Sequence, residues 1–310
     1  STRLLGDLSP RAALMSSKAV LAVVVLVAVL IGGNFTALKF ALDHSTPLLI
    51  AGMRTVIGGT FLLGFAFLRG ERFPTSRRDL FNIFMVSLSI TTVSSGLLVF
   101  GVSRVTAGVA SLVASTMPMF TAVLALVLMK TQISRLAGLG LAVGFAGTLV
   151  LASPSLGGGS GTIGIVSLIV SAIAWAFGNV YMKWQDMTNV SPIMLVGVQL
   201  YMSAMCLIPF ALMVEGTSDT EWTLGLFAPL LYAAIPANAV TFALLATVVR
   251  KATPTQAAST AYLIPLFGVF FGWLIRDERL GIVELMGGVL IIMGVYVLVT
   301  ANTRQAAEVR

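Results

Sequence analysis

The chain holds ten apolar stretches, each long enough to cross a lipid bilayer as a helix. They run at about 18–41, 47–68, 79–101, 105–129, 134–152, 161–184, 191–213, 223–249, 253–275 and 281–300. A hydrocarbon core needs about 20 helical residues to span it. Backbone groups in lipid have no water to bond, so each crossing must close its own hydrogen bonds. The runs are continuously apolar, which speaks against the alternating strands of a membrane barrel. Composition agrees: 57% of the 310 residues are hydrophobic and 10% are charged, against about 25% charged in a soluble domain. The expected fold is an all-α integral membrane protein with ten transmembrane helices.

Charge then sets topology. The net charge is +7, but the basic residues sit between apolar runs. They point to membrane orientation and anionic lipid headgroups rather than to nucleic acid. With the N-terminus inside, Arg3, Arg11, Lys18, Arg69, Arg72, Arg77, Arg78, Lys130, Arg135, Lys183, Arg250, Lys251, Arg304 and Arg310 fall on the cytoplasmic side. Only Lys39, Arg54, Arg104, Arg276 and Arg279 fall on or toward the outer side. Both termini are therefore expected in the cytoplasm of a plasma-membrane protein. Residues 1–17 read as a polar tail without a cleavage site, and 302–310 as a second cytoplasmic tail.

An internal repeat divides the chain. The segment Ser45-Thr46-Pro47-Leu48-Leu49-Ile50-Ala51-Gly52 reads like Val190-Ser191-Pro192-Ile193-Met194-Leu195-Val196-Gly197. Further pairs are Pro118 with Pro265, Arg104 with Lys251, Thr106 with Thr253, Gly140 with Gly287, Gly147 with Gly294 and Lys39 with Lys183. Residues 18–152 and 161–301 thus form two five-helix units, joined by a glycine-bearing linker at 153–160. Five is odd, so the second unit enters from the opposite side. Inverted repeats are a device of secondary transporters, with a midplane site opened to either side in turn.

At these residues the chain resembles a known family. Gly33-Asn34-Phe35 followed by Lys39 has a counterpart in Trp175-Ala176-Phe177-Gly178-Asn179 followed by Lys183. Together with Met117-Pro118, Ile264-Pro265 and Asp277-Glu278-Arg279-Leu280, the pattern is similar to the EamA-like branch of the drug/metabolite transporter superfamily. Within it, the chain looks closest to YddG-type amino-acid exporters. The resemblance implies a central cavity between the halves, a bacterial inner-membrane location, and export of amino acids or related metabolites. The first half departs from the pattern at Thr131, which matches Glu278 in the second.

The residues themselves exclude several chemistries. No Ser/His/Asp set and no phosphate-cradling Gly-Lys loop is present, so neither hydrolysis nor ATP-driven pumping is expected. Cys206 and His44 stand alone in their types, too few for a disulfide or a metal site, and no cofactor is expected. Every acidic residue but Glu284 falls in a loop, a tail or a helix end, and Glu284 lies one turn inside the last span, so none sits near a midplane. Intramembrane carboxylates are the usual proton relays, so facilitated export down a gradient is the expected mechanism.

Candidate substrate-binding residues are Asn34, Arg54, Ser94, Thr116, Trp175, Asn179, Asn238, Gln256 and Tyr262. Polar side chains at mid-span depth suit an amphiphilic cavity; hydrogen bonding between helices is the alternative for each Ser or Thr. Trp175 and Tyr262 are candidates to stack on a substrate side chain. Lys39 and Lys183, near opposite span ends, read as gating charges or as snorkelling residues. Pro118 and Pro265 read as gating bends. Small-residue faces at Gly58, Gly59 and Gly64 and at Gly140 and Gly144 suit close helix packing or a homodimer. A sugar, nucleoside or cation carrier, or a membrane scaffold without transport, are the competing readings.

Overall fold

The computed structural model describes residues 17–155, 158–185, 190–242, 244 and 260–308. Every regular element among them is helical. In chain order they are α1 (Ser17–Leu42), α2 (Pro47–Leu68), α3 (Arg77–Val102), α4 (Ala107–Leu128), α5 (Arg135–Ala152), α6 (Ser160–Trp184), α7 (Pro192–Val214), α8 (Leu224–Val240), α9 (Thr260–Arg276) and α10 (Ile282–Glu308). Eight are long and apolar enough to cross a membrane; α8 and α9 are shorter apolar helices. The far end of the eighth expected span and the start of the ninth lie outside the described residues. The sequence reading ends the last helix at 300, whereas the helix runs on to Glu308.

Helix starts follow local chemistry. Pro47 and Pro192 open α2 and α7, where a missing N–H costs nothing. Ser76, Thr106 and Ser134 cap α3, α4 and α5 by accepting from the third backbone N–H beyond. Where α4 and α9 stop, Lys130 (φ 54°) and Asp277 (φ 51°) adopt the left-handed conformation that terminates helices.

Three helices that the sequence reads as continuous are interrupted. Inside α3, Ser87–Val93 forms a π-helical segment, and inside α8, Ile235–Val240 forms another. In α4 a turn at Ser115 and Thr116 separates two helical pieces, and Pro118 stands in the first turn of the second. Proline cannot donate to the carbonyl behind it, and here the turn absorbs that loss.

Packing follows a pattern that survives exchange of the two halves. The most extensive pairs are α5 with α10 and α2 with α7. Helix α1 packs on α8 and α9, as α6 packs on α3 and α4. Repeat-matched residues meet crosswise in both main seams. A Cβ on Gly140 would stand 2.8 Å from Gly294 O, and one on Gly147 would stand 2.8 Å from Gly287 O. In the other seam, a Cβ on Gly52 would meet Ile208 Cδ1 at 2.5 Å, and one on Gly197 would meet Leu63 Cδ2 at 2.7 Å. Gly140, Gly144 and Gly147 therefore face α4 and α10 of their own chain, so this stripe is spent within the protein rather than offered to a second copy. Gly64 has nothing within 4 Å of its Cβ position.

Candidate functional site

A groove of ≈ 450 Å³ opens between the second piece of α4 and the middle of α6. It is lined by Met117, Pro118, Thr121, Ala122, Ala125 and Trp175. The α4 turn at Ser115 and Thr116 re-aims the helix so that 117, 118, 121, 122 and 125, one helical stripe, face α6. Trp175 is held on α6, whose Ser171 is tied to α3, and 39% of its surface is exposed. The wall is apolar, with the Thr121 hydroxyl donating to Met117 O at 2.9 Å. Ligand sites of about 300–1,000 Å³ with mostly apolar walls and few polar groups are the common form.

Sequence-predicted residues distribute unevenly around this groove. Pro118 and Trp175 line it. Asn179 lies one turn beyond Trp175 and donates to its carbonyl at 3.0 Å. Thr116 is buried at the α4 turn, where its hydroxyl donates to Val113 O at 2.6 Å. Lys183 is exposed near the end of α6. Tyr262 packs edge-on against Tyr296, ring centres 5.7 Å apart. Pro265 is buried in α9, its carbonyl accepting from Ser111 at 3.5 Å. Asn238 is half-buried within the α8 π segment, and Gln256 lies outside the described residues.

The hydroxyl run of α3 is directed at neighbouring helices. Ser87 donates to Gln199 O of α7 at 2.6 Å, and Thr92 to Ser203 of α7 at 3.1 Å. Ser94 and Ser171 of α6 share a hydroxyl–hydroxyl bond of 3.0 Å, and Ser171 reaches Ser94 O at 2.7 Å. Ser89 donates to Ala174 O, one residue before the groove tryptophan, at 2.5 Å. These bonds clamp α3, with its π segment, between α6 and α7. The π segments are functional candidates that a search for charged residues misses. Such bulges concentrate at functional positions, and the only sequence signals here are the Ser/Thr run and Pro236.

Buried polar groups stand apart from the groove. Arg54 is 9% exposed, donates from its guanidinium to Ser95 of α3, and keeps Nε unpartnered among the described residues. Asn34 Oδ1 of α1 is likewise buried and unmatched among them. Buried polar atoms without partners are few in folded proteins and call for a reason.

The face that carries the α1–α2 connection is bound together by charges. Asp43 pairs with Arg276 at 2.6 Å, and His44 with Glu221 at 2.8 Å. Glu215, at the end of α7, accepts from Leu48 N at 2.9 Å and Leu49 N at 3.2 Å in the first turn of α2. Glu278 does the same for α4, accepting from Ala107 N at 2.7 Å. Carboxylates at helix N-termini meet both free N–H groups and the positive end of the helix dipole. Lys39 lies in the field of Glu278, Arg276 and Asp43. Among the described residues no group of His, Cys, Asp and Glu is arranged to hold a metal.

Comparison with known proteins places this arrangement. The model of the EamA-like transporter family matches residues 18–153 and 162–300. Uncharacterized transporter YvbV of Bacillus subtilis is 29% identical over 89% of this chain and 90% of its own length. The uncharacterized inner membrane transporter YedA of Escherichia coli is 28% identical, over 87% and 86% respectively. A probable amino-acid metabolite efflux pump of Escherichia coli is 26% identical over 88% of this chain and 92% of its own. A crystal structure 15% identical in sequence shares the fold, with a TM-score of 0.64 over 92% of this chain and 99% of that one.

Proposed function

This chain belongs to the EamA-like transporter family, and from that premise we propose that it exports amino acids, neutral and aromatic ones among them, and related metabolites by alternating access. The carrier consists of ten crossing helices in two inverted halves, with both termini in the cytoplasm and the Asp43–Arg276 face outermost. The crosswise meeting of Gly140 with Gly294 and of Gly147 with Gly287 supports an in-plane two-fold axis. YddG-type exporters are the narrower kinship proposed on sequence pattern, and the relative named for amino-acid metabolite efflux supports the substrate class.

The observation that carries the substrate reading is the groove. Its ≈ 450 Å³ accommodates an amino-acid side chain, and the Trp175 ring offers a stacking face beside the apolar α4 wall. Among the described residues, acidic side chains keep to helix ends and connections, which favours a facilitator over a proton-coupled pump.

The test is a flux panel in liposomes, with and without imposed pH gradient and membrane potential. Saturable release of a loaded neutral or aromatic amino acid, insensitive to the pH gradient, is expected. Trp175→Ala should raise KM for aromatic cargo roughly tenfold, from the loss of an aromatic contact. Absence of flux for every amino acid tried would sink the reading.

A further inference from the structure

Two corners of the protein share a backbone and differ in chemistry. Lys130, after α4, and Asp277, after α9, are the described non-glycine residues with positive φ, at 54° and 51°. They occupy matched positions in the two halves. Around Asp277 stand Arg276 and Glu278; around Lys130 stand Met129 and Thr131. The left-handed turn is thus duplicated, whereas the charges are not.

At the α9 corner those charges reach two other elements. Arg276 forks onto Asp43 at the end of α1, with Nη1–Oδ2 2.6 Å and Nη2–Oδ1 3.4 Å, and its guanidinium lies 4.8 Å from the Phe40 ring centre. Glu278 holds the first turn of α4 through Ala107 N and Gly108 N. The next residue of α1's exit, His44, is bonded to Glu221 in the α7–α8 connection both by its ring and by its carbonyl, each at 2.8 Å. One turn thereby joins α1, α4 and α9, the helices that pack against one another at this mouth. The groove, by contrast, is cut by residues 117–125, beyond the α4 turn and toward the Met129 corner.

We propose that the Asp43–Arg276 fork, braced by Glu278, is a one-sided ionic gate on the outer mouth, and that its rupture is the step that lets cargo leave. At the matched corner Met129 and Thr131 stand where Arg276 and Glu278 do, and neither can form this fork. Fork geometry fixes the orientation of both partners, so the mouth has a defined closed position. The proposal rests on the alternating-access reading given above, and its test separates the two.

Spin labels at Ser218→Cys and Gly281→Cys, in a Cys206→Ser background, report the width of the mouth in reconstituted full-length protein. Arg276→Gln and Asp43→Asn should each raise the population of the wider distance about two- to fivefold, the range of a partly exposed pair. The exchanged pair Asp43→Arg with Arg276→Asp should restore the narrow population, and Met129→Gln should leave it unchanged. Monodisperse elution certifies the fold of each variant. An unaltered distance distribution in both single variants, or an exchange variant as open as they are, overturns the gate. A responsive distance without flux of any cargo would overturn the transport reading, and with it the cargo step, and leave only an ionic latch between α1 and α9. Flux with an unresponsive distance would overturn the gate and leave the transport reading standing.

Discussion

The α5–α10 seam and the α2–α7 seam are built on the same crosswise pairing, yet they set their closest approach in different ways. In the first, backbone meets backbone: a Cβ on Gly294 would lie 2.5 Å from Gly144 Cα and 2.6 Å from Gly140 O. In the second, glycine meets side chain: Gly52 faces Ile208, Gly59 faces Tyr201 and Gly197 faces Leu63. Polar ties then supplement the second seam. Thr60 and Tyr201 share a hydrogen bond of 2.6 Å, Glu215 caps α2, and Glu71 Oε2 accepts from Ser191 at the α7 start at 2.5 Å. A seam limited by main-chain atoms has no slack, because nothing in it can rotate away. A seam limited by Ile, Leu and Tyr rotamers can change shape at modest cost. The contrast locates rigidity in α5 and α10 and adjustability in α2 and α7.

Single substitutions put that contrast to the test. Gly294→Ala should be the most damaging, losing about 3 kcal/mol or failing to fold, since the added carbon meets backbone; thermal inactivation in detergent measures it. Gly197→Ala should cost about 1.5 kcal/mol, because Leu63 Cγ at 2.9 Å and Leu63 N at 3.2 Å must both give way. Glu215→Gln should cost about 1 kcal/mol by weakening a charged cap, read as a small drop in Tm. Gly52→Ala should be mildest, below about 1 kcal/mol, because the atoms in the way, Ile208 Cδ1 at 2.5 Å and Cγ1 at 3.1 Å, belong to a side chain that can turn aside, and adding Ile208→Val should recover part of the loss. Equal effects of Gly294→Ala and Gly52→Ala would erase the distinction between the seams.

The membrane fold was legible because hydrophobic length is a strong and local signal. Spans for α2 and α6 agree with the helices nearly to the residue, and the glycines that the sequence reading matched, Gly140 with Gly287 and Gly147 with Gly294, all lie in one seam, where Gly140 meets Gly294 and Gly147 meets Gly287. Within the groove, Pro118 and Trp175 were legible as an α4 bend and an α6 aromatic. Thr121, Ala122 and Ala125 were not, since small residues on a helix carry no sign of which neighbour they face. Ser94 shows the same limit from the other side. A buried hydroxyl bonding Ser171 and one lining a cavity look alike in sequence, because a neighbouring carbonyl or hydroxyl satisfies it as well as a ligand does. Glu215 and Glu278 were read as loop acids. Their capping of α2 and α4 depends on tertiary placement that no spacing along the chain encodes.

The π segments in α3 and α8 have a consequence for how the chain can be edited. A helix advances about 100° per residue, and a π turn holds an extra residue in its loop of hydrogen bonds. Each segment therefore stores a surplus residue without turning the helix on either side out of phase. Removing one residue from Ser87–Val93 should let the turn tighten into ordinary α-helix with the flanking faces nearly unmoved, so that Ser94 stays registered with Ser171 while Ser87 keeps Gln199. Removing one residue from a regular stretch such as α5 should instead swing one part of the helix by about 100° against the other. The same deletion is a local repair in a π segment and a change of phase for half a helix elsewhere.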